Sequence, residues 1–536
     1  MPIFVGSNSD DSRIRSNRVG FAVSTANPGS ASEGDVYFNS SDSGLRAYDG
    51  SAWSAVGAGG GTFSGIASGT LANGQTVIIH SDGKVGIVTQ TGSADPSVGT
   101  PAVFESANTR HTATAYDSAN NKVVVFYRDQ TNSQYGTAVV GTVSGTSISF
   151  GTPVVFNSAG TYHIAATYDS TNGKMVVVYN DGGNNNYGTA IVGTVSGTSI
   201  SFGSEATFES AIIAQTAVTF DSSSGKVVIA YKDDGNSDYG TAIVGSVSGT
   251  SISFGSATVF NSGTTFYNAA TFDSSNNKVV IAYQDAGNSD KGTAIVGTVN
   301  PSNNSITFGS EVVFESGGTN WISATYDSAN GKVVIAYEDN ANSSYGTAIV
   351  GTVSGTSISF GTAVVFESAT TNHNRIVYDS NKEKVVIAYR DNGNSFYGTV
   401  IVGTVSGTSI SFGTPLVYES ASVDHSSAVY DSSNGKTVIA YQDGGNSDYG
   451  TAVVVSTNSI ETNLTANNFI GFSDAAYSDG ATATIQIAGA VDDAQSGLTT
   501  GSLHYVQNDG TLSTTAGNPS VEAGTALSAT KIKVKK

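Results

Sequence analysis

The fold class predicted by this 536-residue chain is all-β: a seven-bladed β-propeller flanked by small N- and C-terminal β domains. Three observations predict it. A Tyr/Phe-Asp-Ser triplet recurs with its Asp at Asp117, Asp169, Asp221, Asp273, Asp327, Asp379 and Asp431, at intervals of 52, 52, 52, 54, 52 and 52 residues. A period this strict marks one supersecondary unit repeated and stacked. Each unit divides into four runs rich in β-branched and aromatic residues, separated by turn residues, with no helical period. The incomplete first and last copies complement each other. Four antiparallel strands in each of seven units make a propeller. The rival is an open β-solenoid, whose rungs are usually shorter.

Taken in order, residues 1–56 include GDVYFNSSDSGLRAYDGSAWSAVG, a run of short strands closed on Trp53. Residues 57–96 read as a Gly-rich linker, GAGGGTFSGIASG, followed by a strand pair. Residues 97–456 carry the propeller. The segment 97–106 matches a fourth strand, while the seventh unit stops after its third strand near Ser456, so this segment is expected to close the last blade and abolish an exposed edge. Residues 84–92 align with a third strand, which leaves open a surplus strand in that blade. Residues 457–536 form a C-terminal β domain, whose alternating tail with Lys531, Lys533, Lys535 and Lys536 suits a solvated edge strand.

Within a unit, the first strand is small in volume and ends at the triplet Asp, and Asp-Ser-x-Asn-Gly reverses the chain. The second, KVVIAY, is nearly all apolar and needs cover on both faces. The third is YGTAIVGTV. The fourth follows Ser-Gly-Thr and ends in FES or YES, where Glu105, Glu209, Glu315, Glu367 and Glu419 read as edge charges. The two extra residues of the long interval fall in VNPSNNSITFG (299–309), at a hairpin tip that tolerates insertion.

With 43 acidic and 23 basic residues, the net charge of -20 argues against a nucleic-acid partner. The absence of cysteine removes disulfides and thiol chemistry. The start MPIFVGSNSDD lacks a basic region followed by a long apolar run, so no secretory signal is expected. No run approaches the roughly 20 apolar residues of a membrane helix.

Residues Gly34, Asp35, Tyr37, Phe38, Asn39, Leu45, Tyr48, Gly50 and Trp53 carry a pattern that resembles the head segments of tailed-phage fibres and other virion appendages. The C-terminal residues Gly497, Leu498, Gly501, Tyr505, Val506, Asp509, Gly510, Leu512 and Ser513, with Ala523, Gly524, Ala526, Leu527 and Ser528, are similar to a small β module of phage tail and fibre proteins. His504 departs from the aromatic often found there. The resemblance implies a virion appendage made in the host cytoplasm and released by lysis. It also implies attachment to other virion proteins through the N-terminal segment, and a homo-oligomer, a trimer first.

Comparison among the seven copies separates structure from specialisation. The turn residues Asp129, Asp181, Asp233, Asp285, Asp339, Asp391 and Asp443 are each followed three residues later by Asn and seven later by Gly. They read as Asx turns; a calcium loop, strongest at Asp233, Asp234, Asn236 and Asp238, is the alternative. The triplet Asp and the Lys five residues on read as a turn cap or a cross-hairpin ion pair.

Six residues before each triplet Asp the identity changes from copy to copy: His111, His163, Gln215, Tyr267, Trp321, His373 and His425. One residue earlier lie Arg110, Tyr162, Ala214, Phe266, Asn320, Asn372 and Asp424. In a propeller these positions ring one mouth of the central channel. They either plug the channel or form a recognition surface for a host-surface glycan or protein, with aromatic faces for stacking and polar groups for directional bonds. Exposed histidines there would titrate near pH 6.5. Opposite positions are too far apart for one metal ion, and neither a metal nor a cofactor is expected. No G-x-S-x-G, H-E-x-x-H or Walker motif is present. The expectation is therefore a non-enzymatic adhesion protein, with a carbohydrate-cleaving propeller and a purely structural decoration protein as alternatives.

Overall fold

The computed structural model describes residues 22–24, 27, 29–32, 35–39, 44–48, 50–51, 53–56, 61–91, 96–457, 461–517 and 519–535. The N-terminal stretch MPIFVGSNSDD, the first glycines of the Gly-rich segment and Lys536 lie outside the described residues. The chain divides into two compact units, Ala94–Ser459 and Met1–Ser93 with Ile460–Lys536.

The first unit is a closed seven-bladed propeller. Its pairing runs unbroken from Ala102–Asp117 through to Tyr449–Ser456, and these two strands pair with each other. Ser97–Val98 pairs with Val455 and Ser456 alongside, so residues 97–106 complete the seventh blade. The KVVIAY strands are buried on both faces; Val123, Val124, Val125, Phe126 and Tyr127 are all at 0% exposure.

The path between blades differs from a strand-loop-strand connection. One 16-residue strand, such as Val154–Asp169, pairs through its first half with the third strand of one blade and through its second half with the second strand of the next. The fourth strand is accordingly split, with Ser147–Phe150 covering the far end of the third strand. At the break sits Gly151, where a Cβ would lie 1.9 Å from the Thr198 carbonyl of the neighbouring hairpin. Only glycine admits that approach. The two extra residues of the long interval lie in the turn between Lys291–Asn300 and Ser305–Phe308.

The conserved turns are hydrogen-bonded caps. Asp117 accepts from the Ala119 and Asn120 N–H groups (both 3.0 Å) and from Asn120 Nδ2 (2.8 Å). Backbone acceptance at the same two positions repeats at the other six triplets. The partner Lys does not complete a cross-hairpin ion pair: Lys122 Nζ donates instead to Thr142 Oγ1 at 2.9 Å.

The FES glutamates also depart from the edge-charge reading, because each accepts a bond from the buried Tyr that ends KVVIAY. Tyr127 to Glu105 is 3.0 Å, Tyr389 to Glu367 is 2.9 Å and Tyr441 to Glu419 is 3.0 Å. Where Asn157 and Asn261 replace that Glu, a different carboxylate takes over: Tyr179 donates to Glu205 and Tyr283 to Glu311, both at 2.9 Å. A buried phenol needs an acceptor, and the chain supplies one by either route.

The second unit interleaves both flanks. Thr62–Ile66, Thr482–Gln486, Phe469–Ser473, Thr76–Ile79 and Val85–Ile87 form one five-stranded sheet in that order. Part of the expected linker is therefore a strand, and residues 85–87 belong here rather than to the closing blade. The division at 57–96 and 457–536 does not separate two domains. The tail strand Lys531–Val534 lies inside a second five-stranded sheet, not at its edge, with Ile532 at 0% exposure and the lysines outward. Near the N-terminus, Val36–Asn39, Gly44–Tyr48 and Trp53–Val56 pair in a sheet where Tyr37 and Trp53 meet edge to face at 4.8 Å.

Candidate functional site: the channel mouth

The seven positions that vary six residues before each triplet Asp do converge on one ring. All seven adopt a left-handed backbone, with φ of 51° at His111, 49° at His163, 53° at Gln215, 50° at Tyr267, 49° at Trp321, 52° at His373 and 49° at His425. Each sits at a break in register between the first and second strands of its blade, as between Arg110 and Ala113. This is a β-bulge, which re-aims a side chain. A left-handed residue with a Cβ costs about 1–2 kcal/mol, a cost glycine avoids. Glycine occupies none of the seven positions.

The bulge turns the side chains toward the axis, where neighbouring rings touch. Ring centroids are 5.8 Å apart for His373 and His425, 5.2 Å for His425 and His111, and 5.6 Å for His111 and His163. Tyr267 and Trp321 are 5.1 Å apart, and Trp321 and His373 4.1 Å. Gln215 joins this arc by accepting the Tyr267 N–H at 3.1 Å. Carbonyls of the bulged residues are held by the following blade: Asn268 Nδ2 donates to the Gln215 carbonyl at 3.0 Å, and Thr112 and Thr216 hydroxyls donate to those of His425 and His163.

The ring lines a cavity of about 530 Å³ whose wall below it is made of small side chains, among them Ala113, Ala165, Ala217 and Ala269. That volume is typical of a small-molecule site. At the equivalent layer the sixth blade carries Arg375.

The neighbouring residues form an uneven rim. Arg128 stacks over Tyr162 at 4.7 Å, and Tyr162 donates to Gln134 Oε1 at 3.0 Å. Lys232 lies 5.6 Å from the Phe266 ring centroid. Asp424 meets His373 Nε2 at 2.9 Å and also pairs with Arg390. Arg110 is exposed.

The histidines are not poised near pH 6.5. Burial, then the neighbouring His425, Arg128, His163 and Arg110, push His111 down to about 2. Burial and His373 push His425 to about 3, and burial likewise lowers His163 and His373, the latter despite Asp424. They are neutral at pH 7 and offer both a donor and an acceptor.

The calcium alternative meets a specific obstacle. Lys232 Nζ lies 2.9 Å from Asp234 and 3.1 Å from Asp238, so an ammonium already sits between the carboxylates a cation would need. Five of the seven turn aspartates accept backbone N–H groups instead, as Asp129 does from Asn132 at 3.1 Å and Asp391 from Asn394 at 3.1 Å. Among the described residues no group of three His, Asp or Glu is placed to hold a metal.

A second variable set went unread in the sequence. Between the unvarying Tyr and Asp at the end of KVVIAY stand Arg128, Asn180, Lys232, Gln284, Glu338, Arg390 and Gln442, each directly opposite a rim residue in register. The test applied to the ring, variation amid constancy, would have found them.

No family model and no curated protein matches the sequence. Among solved structures, the chain is similar to the BP39L lectin from Burkholderia pseudomallei, at 11% identity and a TM-score of 0.49, covering 67% of this chain and 98% of that one. It is also similar to the Cps50 (Swd1) β-propeller domain of Myceliophteria thermophila, at 8% identity and a TM-score of 0.44, covering 66% and 99%. Sqt1 from Chaetomium thermophilum matches at 11% identity and a TM-score of 0.40, covering 64% and 85%.

Proposed function

We propose that the propeller is a recognition domain whose ringed mouth binds a surface ligand, a glycan first. The observation that carries this reading is the set of seven bulged, left-handed, non-glycine residues directed into one cavity. A left-handed backbone with varied identity is not enough by itself, since the turn residues Gln134, Asn186 and Phe396 share it; the seven ring positions differ from them in lining one cavity together. The Tyr267–Trp321–His373 arc supplies aromatic faces for a sugar, and the neutral histidines supply hydrogen bonds. The protein carries out no covalent step in this reading.

We place this domain on a virion appendage of a tailed phage, as a homo-oligomer attached through its N-terminal segment; the support is the Gly34–Trp53 pattern and the C-terminal module. Copy number then multiplies weak contacts. Glycan-array binding by the full chain, lost in Trp321→Ala and Tyr267→Ala, is the expected result; unchanged binding contradicts the mouth. Release of a sugar product would instead favour an enzyme, and absence of the protein from purified virions would contradict the placement.

A further inference from the structure

The propeller contains four arginines: Arg110, Arg128, Arg375 and Arg390. In the linear sequence they fall in two distant pairs. Ring closure through Ala102–Asp117 and Tyr449–Ser456 makes blades six, seven and one consecutive, so all four lie on one arc at the mouth end. Arg110 and Arg128 are register partners at the rim, Arg128 Nε has no partner, and Arg390 is already committed to Asp424, Asn372 and Asn392.

Arg375 is different. It stands in the cavity wall at the layer where four other blades have alanine. It is half-buried, facing the cavity, and Nη1 donates to the Asn374 carbonyl at 2.8 Å. No acidic group pairs with it among the described residues. Burial lowers it only to about 10, so it stays cationic at neutral pH. A guanidinium that faces a confined cavity with no carboxylate beside it favours an anionic partner there.

The surroundings are specialised in the same place. Ser427, at the same layer in the adjoining blade, lines the cavity with a buried hydroxyl that has no partner. Tyr418 stands where the other six blades have Phe, and burial raises its hydroxyl while Ser426 and Arg375 nearby lower it. These departures from the repeat concentrate at the junction of blades six and seven.

We propose that the cavity is an anion site in which the Arg375 guanidinium pairs with an oxyanion, a carboxylate or a sulfate or phosphate group, assisted by the Ser427 hydroxyl. Two parallel N–H···O bonds from a guanidinium suit either group. This deepens the mouth reading and rests on it for the ligand's identity: the ligand that enters past the ring is an acidic saccharide, its charged group on the arc of blades six, seven and one.

The test is calorimetric titration of the full chain with acetate, sulfate, phosphate, glucuronate and neutral glucose, at ionic strength held constant with sodium chloride. Arg375→Ala restores the residue of four other blades and is expected to fold; Arg375→Lys keeps the charge without the fork. The expected result is one site per propeller for at least one oxyanion, weakened at least tenfold in Arg375→Ala and less in Arg375→Lys. Acetate and glucuronate against sulfate and phosphate identify the group. No oxyanion binding beyond that of chloride, or equal affinity in Arg375→Ala, overturns the inference. Array glycans bound equally by wild type and Arg375→Ala would overturn it while leaving the mouth reading intact; oxyanion binding lost in Arg375→Ala supports the site even if the array is blank.

Discussion

The two ends of the innermost strand are built on opposite rules. At one end the triplet Asp is the same in seven copies because its carboxylate satisfies two successive backbone N–H groups, as Asp169 does for Thr171 and Asn172 at 3.0 Å each. At the other end the backbone is the constant and the side chain is not: φ stays between 49° and 53° while the residue changes among His, Gln, Tyr and Trp. Where a side chain makes the turn, sequence is constrained. Where the backbone makes the bulge, the side chain is released for other work.

Four expectations break or sharpen this contrast. The largest effect is at the constrained end. Asp169→Ala removes a buried carboxylate that accepts two turn N–H groups and Asn172 Nδ2, and should lower stability by about 2–3 kcal/mol, read from the urea midpoint. A loss below about 1 kcal/mol would remove the structural role assigned to the triplet.

Acid should act at the opposite end. The ring histidines are neutral when folded and titrate near 6.5 when unfolded, so the unfolded chain binds more protons as pH falls. Their contribution is complete above pH 6.5 and is lost progressively below it, toward the folded values of about 2 and 3. Burial raises Glu105, Glu367 and Glu419, which works in the reverse direction but is common to any ring variant. Comparing unfolding from pH 7 to pH 4.5, His111→Gln should retain about 2 kcal/mol more than wild type at the acid end. Parallel curves would contradict neutral, buried histidines.

The tyrosine acceptors allow a finer test of interchangeability within the scaffold. Glu209→Asn should cost about 1–2 kcal/mol by stranding the Tyr231 hydroxyl. Adding Ala257→Glu, at the position where Glu205 and Glu311 serve two other blades, should recover most of it. Failure of the rescue would mean that the two blades with that arrangement differ in more than the acceptor. Smallest of all, His163→Gly should raise stability by up to about 1 kcal/mol, read from a higher urea midpoint, because glycine adopts φ of 49° without a Cβ clash.

What was legible in the sequence follows the same division. The blades, the closing strand and the Asp caps could be read because each is determined within about 50 residues or by comparison of copies. The ring could be located for the same reason. Its bulge could not, since a Trp or His gives no local sign of a left-handed backbone. The Asn157–Glu205 and Asn261–Glu311 exchanges were hidden because one acceptor position lies within a long strand and the other in the loop that precedes the next. The flanks misled for a plainer reason: Thr62–Ile66 pairs with Thr482–Gln486, and no local pattern reports a partner some 400 residues away. The arginine arc likewise exists only after the ring has closed.

The central claim is that the variable end of the strand is a recognition site and the constant end is not. Its most direct measurement is the affinity of one array-identified ligand for the seven single alanine variants of the ring, each checked for an unchanged urea midpoint. The account expects losses of tenfold or more along Tyr267, Trp321 and His373, with stability within about 1 kcal/mol of wild type. Affinities that stay at the wild-type value across all seven, or that fall only where stability falls, would contradict it.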